Sequence, residues 1–331
     1  MRPLKPVPEG LLHIAVRQEG LVSLKQCKLF GVDHRRAARL VEHKIWRFEG
    51  VTVFDTDPTS PSDRVRSDYF SHIRRRSGFK GVLVFPGSAA VGASALALHG
   101  VAGLPRSITP EVALPGGPHH RARDGVVVRQ FKDFQTVPVG PWRIAGLESA
   151  LAQALPSLTR GQAVAVMSDA ARQRWIDDAG LARVARNVRA GRGSATIQGW
   201  FALVNENDES PAETDARLSF IDHGVPPDLS QVVFRRNGYW LARCDFAWQL
   251  RDGRWLVVEI DGVGPHSTPE ALIRDAPRQN RLLETGRILL LRYRPADNAT
   301  PGGIGAQVSA KLRTLGWHPR HHPPPSSPVD L

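Results

Sequence analysis

The sequence predicts a mixed α+β chain built from several domains. Its 331 residues exceed what one ordinary core accommodates. Read in order, its apolar periodicity switches between helical and strand spacing from end to end. Two polar breaks, Asp57-Pro58-Thr59-Ser60-Pro61-Ser62-Asp63 and Asp208-Glu209-Ser210-Pro211, interrupt it. These breaks place an N-terminal domain at residues 1–56, a middle mixed α/β domain at 57–207 and a third domain at 208–318. A Pro/His-rich tail at 319–331 is expected to be disordered.

Composition narrows the class. Hydrophobic residues make up 41% and charged residues 23%, the balance of a soluble globular protein. The longest apolar stretch, Ser88 to Leu104, is rich in Gly and Ala and contains His99, so no membrane span is expected. The first residues, MRPLKPVPEG, lack an apolar signal-peptide core. Cys27 and Cys244 both fall at apolar positions, which argues against a disulfide framework and for a reducing cytoplasm. Net charge is +12, with 16 Lys+Arg against 9 Asp+Glu in residues 1–80. Clustered positive charge is the footprint of a nucleic-acid partner, although an Arg-rich composition alone also raises the isoelectric point.

The N-terminal elements read as a winged helix-turn-helix. Leu11, Leu12, Ile14 and Ala15 give Gly10 to Gln18 a helical stripe that Gly20 ends. Ser23 can cap a helix from Leu24 to Phe30, and Asp33 a third from His34 to His43. Ile45–Phe48 and Val51–Phe54, joined by Glu49-Gly50, form a hairpin wing. In this order of elements the third helix enters the major groove of double-stranded DNA. Arg35, Arg36 and Arg39 are the candidates for base readout, with Lys28 and Arg47 for phosphate. A helical domain with a solvated basic face is the plainer alternative.

Residues 64–80 read as a basic helix whose Arg74-Arg75-Arg76 run suits a solvated helix end or a longer DNA footprint. Next come a strand at Val82–Phe85, a small-residue helix at Val91–His99, and strands at Val112–Leu114, Val126–Arg129 and Trp142–Ile144. Helices follow at Leu147–Leu155, Gly161–Arg174 and Asp178–Val188. His99, at the end of an apolar helix, reads as a packing histidine. His119 and His120 sit in a Gly/Pro loop without acidic company.

In the third domain Ser210-Pro211-Ala212-Glu213 opens a helix as cap, first-turn proline and capping-box glutamate, a structural duty that by itself explains Glu213. Strands are expected at Gln231–Arg235, Trp240–Leu250, Trp255–Asp261 and Ile288–Tyr293, with a helix near Ala306–Leu315. Between the second and third, Arg251-Asp252-Gly253 suits a three-residue loop with Gly253 left-handed. Leu250 then pairs with Arg254, and Asp245 lies opposite Glu259. Phe246, Trp248 and Leu250 share an apolar face with Leu256, Val258 and Ile260, while Asp245, Glu259 and Asp261 gather on the other. Carboxylates so gathered repel one another, and a hard divalent cation, Mg2+ or Mn2+, relieves the repulsion. A merely solvated polar face is the alternative.

The ordered set Ser210-Pro211-Ala212-Glu213-Thr214, Asp245, Glu259-Ile260-Asp261-Gly262, His266 and Gln279 resembles the PD-(D/E)XK nucleases, in the branch similar to very-short-patch-repair endonucleases. The winged helix followed by Ser94-Ala95-Leu96-Ala97-Leu98-His99-Gly100 resembles the AbiEi antitoxin family. The nuclease resemblance implies a restriction-endonuclease-like α/β core with a central mixed sheet. It implies that Asp245 and Glu259 hold the metal and that Glu213, Asp261, His266 and Gln279 complete a site for DNA phosphodiester hydrolysis. Lysine is usual in the superfamily two residues after the glutamate; here Asp261 stands there, and His266 would act as general acid/base in its place. The antitoxin resemblance implies a DNA-binding autorepressor that neutralises a nucleotidyltransferase-type toxin, with the nuclease domain degenerate.

Overall fold

The computed structural model describes residues 5–116, 120–131, 133–188, 194–261, 279–319 and 327–331. Helices and strands both contribute, in an α+β chain that divides into two compact units. One comprises Met1–Ala170 with Arg174–Ala202, the other Leu203–Leu331 with Ala171–Gln173.

The first unit begins with α1 (Glu9–Arg17), β1 (Leu21–Ser23), α2 (Leu24–Leu29), α3 (His34–Glu42), β2 (Arg47–Gly50) and β3 (Val53–Asp55). Ser23 and Gln26 form a reciprocal capping box on α2, and Asp33 accepts the Arg36 backbone N–H at 2.7 Å to start α3. Leu11, Ala15, Val22, Cys27, Ala37, Leu40, Trp46 and Phe54 make one buried cluster that sets the three helices on the β1-β3-β2 sheet. Strand β1 was not expected from sequence; three residues are too few to display a period.

Helix α4 (Tyr69–Val84) corrects the strand expected at Val82–Phe85. Its last turns are buried on every side, so their apolar run is continuous, and periodicity cannot separate such a helix from a buried strand. Gly78 and Gly81 permit the close packing: a Cβ on either would lie 2.8 Å from Leu98 Cγ or Val112 Cγ1. The arginine run is not a solvated helix end either. Arg76 is 5% exposed and pairs with Asp55 at 2.9 Å and Glu49 at 2.5 Å, while Arg64 also pairs with the fully buried Asp55. Arg75 bridges Glu19 and Asp68 at 2.5 and 2.7 Å.

Next come β4 (Ala89–Ala90), α5 (Gly92–His99), β5 (Glu111–Ala113), β6 (Val127–Val128), β7 (Thr136–Val139) and β8 (Trp142–Ala145). They build a mixed sheet of order β6-β5-β4-β8-β7, in which Pro138 is tolerated because β7 lies outermost. His99 is the packing histidine expected, its Nε2 2.8 Å from the Ala145 carbonyl. Helices α6 (Leu147–Ala154), α7 (Arg160–Arg172), α8 (Asp178–Val188) and α9 (Ser194–Phe201) complete this part of the chain.

The second unit holds α10 (Pro211–Asp222), β9 (Leu229–Arg236), β10 (Tyr239–Gln249), β11 (Trp255–Ile260), β12 (Ile288–Tyr293), α11 (Gly303–Thr314) and β13 (Val329–Asp330). Its sheet runs β12-β11-β10-β9-β13, with β11–β12 and β9–β13 parallel and the remaining pairs antiparallel. The hairpin register is the expected one: Phe246 pairs Val258, Trp248 pairs Leu256, the Leu250 N–H donates to the Arg254 carbonyl at 2.7 Å, and Gly253 has φ +82°. Phe246, Trp248, Leu256 and Val258 pack against Ala216 and Phe220 of α10 and Ile304 and Val308 of α11. The opposite face differs from expectation. Near the turn, Ala247, Trp255 and Val257 form a second buried cluster there, so the acids occupy only the far end of the hairpin.

The expected disordered tail also ends differently: Val329 and Asp330 pair with Phe234 and Arg235, because Val329 and Leu331 pack on the cluster around Phe234. Among the described residues no helix is long and apolar enough to cross a membrane.

Candidate functional site

The start of α10 positions the first acid. Ser210 accepts the Glu213 N–H at 3.2 Å and donates its hydroxyl to Glu213 Oε1 at 2.8 Å; the Glu209 N–H reaches Oε2 at 2.9 Å. Below this cap, Arg217 holds Asp208 through Nε at 2.9 Å and Nη2 at 2.7 Å, and Thr214 donates to the same carboxylate. The helix end is therefore fixed before any chemistry is considered. Glu213 performs its capping duty and also reaches the sheet: Gln231 Nε2 donates to Glu213 Oε2 at 2.8 Å and to Asp245 Oδ1 at 3.3 Å.

Asp245 lies one residue beyond the last antiparallel pair of the hairpin. Its Oδ2 accepts the Ile260 N–H at 2.8 Å, so the side chain continues the ladder where the backbone stops doing so. The pairs Cys244–Val232 and Phe246–Ser230 set Asp245 level with Gln231, and the parallel pairing sets Glu259 level with Arg292. Gln231, Asp245, Glu259 and Arg292 thus stand at one level on four neighbouring strands.

The electrostatics of the acids are unequal. Burial, then the charge of Asp245, pushes Glu213 up to about 7, against its hydrogen bonds from Glu209, Ser210 and Gln231. Burial also raises Asp245, opposed by the Ile260 N–H and Gln231. Glu259 instead lies 3.8 Å from Arg292 Nε, and Asp261 takes Arg292 Nη2 at 2.6 Å. Gln279 Oε1 accepts from Arg292 Nη1 at 3.4 Å.

Of the residues expected to form this site, the structure connects Glu213 with Asp245 through Gln231, and joins Glu259, Asp261 and Gln279 through Arg292. His266 lies outside the described residues. Gln231 and Arg292 were not found from sequence. A glutamine in a strand carries no signal; Arg292, a charge directly after the apolar run Ile288-Leu289-Leu290-Leu291 in the same strand, did. Among the described residues, no three His, Cys, Asp or Glu side chains converge as a metal-holding group. The donor chemistry still suits Mg2+ or Mn2+, which need only one or two carboxylates beside water. Burial is the main cause of the raised pKa of both Glu213 and Asp245, with the charge of Asp245 adding to it at Glu213.

In the first unit, Arg35 and Arg39 are exposed on α3, as is Lys28 on α2. Arg36 is engaged elsewhere: its guanidinium donates to the Pro6 carbonyl at 2.7 Å and the Gly31 carbonyl at 3.2 Å, binding the preceding arm. Arg47 is half-buried, with Nη1 enclosed and without a hydrogen-bond partner among the described residues.

No model of a known protein family matches the chain. Uncharacterized proteins from two strains of Mycobacterium tuberculosis are similar to it, each 28% identical over 155 residues, 47% of this chain and 56% of the relative. The chain therefore spans little more than half the length of the curated relatives it matches.

Proposed function

We propose that the chain is a DNA-binding protein whose second unit is a restriction-endonuclease-like domain that hydrolyses DNA phosphodiesters with Mg2+ or Mn2+. The observation that carries this reading is the pairing of Glu213 and Asp245 through Gln231, both acids raised, at the level of Glu259 on the next strand. Asp245 and Glu259 would hold the metal. When bound, it would activate water and neutralise developing charge on the phosphate. Asp245 is oriented by the Ile260 N–H, which leaves Oδ1 turned toward Gln231 and Glu213. Glu213, its proton retained up to about pH 7, would hold or release that proton at the carboxyl beside Asp245. The first unit would act as a winged helix-turn-helix, with Arg35 and Arg39 at base edges and Lys28 on phosphate.

The test is nicking of supercoiled, linear, mismatched and single-stranded DNA by the full chain with Mg2+ or Mn2+. Cleavage by wild type that stops with chelator, and in Asp245→Asn/Glu259→Gln, is the expected result. Folded wild type that cuts none of the four, or a double variant that still cuts, sinks the reading.

One observation favours a second reading, an AbiEi-like antitoxin and autorepressor with a degenerate nuclease domain. Arg292 already contacts Asp261 and lies near Glu259, which lessens the acids' need of a metal. Sequence-specific binding to its own promoter, without cleavage under any of the conditions above, is the outcome that selects it.

A further inference from the structure

A DNA phosphodiester is an anion, and Asp245, Glu259 and Asp261, when ionised, oppose its approach. At a separation of about 5 Å and an effective dielectric constant of about 20, each ionised acid repels one negative charge substantially. A cationic side chain among them, beside any metal, lowers that repulsion. Arg292 occupies such a place. It is level with Glu259 on the adjoining strand, its Nε 3.8 Å from Glu259 Oε2. Asp261 grips one edge of the guanidinium, with Nη2 at 2.6 Å and Nε at 3.1 and 3.2 Å from its two oxygens. Gln279 takes Nη1 at 3.4 Å.

Among the described residues, Asp261 and Gln279 engage different nitrogens and so fix both the position and the plane of the group. A planar guanidinium so fixed suits the fork-like recognition of a phosphate. The clasp is also accessible, with the side chains of Arg292 28% and Asp261 40% exposed. Ion pairs this exposed add little to stability, so stability alone does not explain an arginine held from both sides.

Resting on the nuclease reading, we propose that Arg292 receives the scissile phosphodiester and that Asp261 is its positioning residue. Asp261 then serves the site by holding a cation rather than by binding a metal.

Two measurements test this. The first is metal-free binding of a short random-sequence duplex by the full chain, carried in an Arg35→Ala/Arg39→Ala background so that α3 does not dominate. Arg292→Gln should reduce the slope of log affinity against log salt by about one, the loss of one phosphate contact. Arg292→Lys should keep the slope. The second is nicking with Mg2+, where Arg292→Gln should lose about 100-fold or more, as when one transition-state donor is removed. Asp261→Ala should lose activity with the slope kept, and Asp261→Asn, which retains an acceptor for Arg292, should recover part of it. An unchanged slope in Arg292→Gln overturns the proposal whether or not the protein cuts. Full nicking by Arg292→Gln does the same. Absence of nicking by wild type overturns the nuclease reading alone, because the binding measurement requires no turnover.

Discussion

Glu213 serves two purposes at once, and pH separates them. The residue is 7% exposed and its pKa rises from 4.5 to about 7. Between those values the folded chain keeps a proton that the unfolded chain has released, so this group makes stability fall as pH rises. The whole effect amounts to roughly 3 kcal/mol, present below the unfolded pKa and lost above the folded one. Glu213→Gln, which mimics the protonated acid, should therefore gain on wild type as pH climbs from about 4.5 to 8. Urea melts at both ends of that window check it; parallel losses in the two proteins would show that Glu213 is not the source. The arginines of α3 divide in a similar way. Arg35→Ala and Arg39→Ala should each weaken DNA binding by about 1–3 kcal/mol and relax its sequence preference, and Lys28→Ala should lower the salt slope by about one, all three with thermal stability unchanged. Arg36→Ala should chiefly lower stability, by about 1 kcal/mol, since its partners are the Pro6 and Gly31 carbonyls. Titrations at several salt concentrations beside thermal melts distinguish the two classes, and an Arg36 variant that loses only DNA affinity contradicts the division.

Elements with a strong local signal were legible in the sequence. The β10–β11 register followed from the Asp252-Gly253 turn and the apolar face of Phe246, Trp248, Leu256 and Val258, since a slip of one residue would have mixed that face with the acids. Serine and aspartate caps likewise located α2, α3 and α10. Where an element is buried all round the signal disappears, and α4 was divided for that reason. The ion pairs of Arg76 were illegible on other grounds: their partners, Glu49 and Asp55, lie on β2 and β3, and no local pattern reveals them. Arg76→Ala should destabilise the first unit by about 3 kcal/mol or more, because it removes a buried cation from the fully buried Asp55. Chemical denaturation measures this, and a loss below about 1 kcal/mol would mean that Arg64 alone satisfies that acid.

At the scale of the molecule, the α+β class and the acidic hairpin could be read from periodicity, whereas the order of strands could not. The order depends on pairings distant in sequence, such as β12 alongside β11, and Arg292 joins the acids only through that pairing. The pairing of β13 with β9 is of the same kind, and it has a consequence for self-association. Ser327 Oγ accepts the Val233 N–H at 3.0 Å, and the Leu331 N–H donates to the Arg235 carbonyl at 2.9 Å. Residues 327–331 thus shield the rim of the sheet. Without them β9 becomes a bare edge strand, a template on which the same strand of another molecule can add. Deleting residues 327–331 should produce concentration-dependent dimers or aggregates, visible by light scattering. A deletion variant that stays monomeric at every concentration would show that β9 needs no such guard.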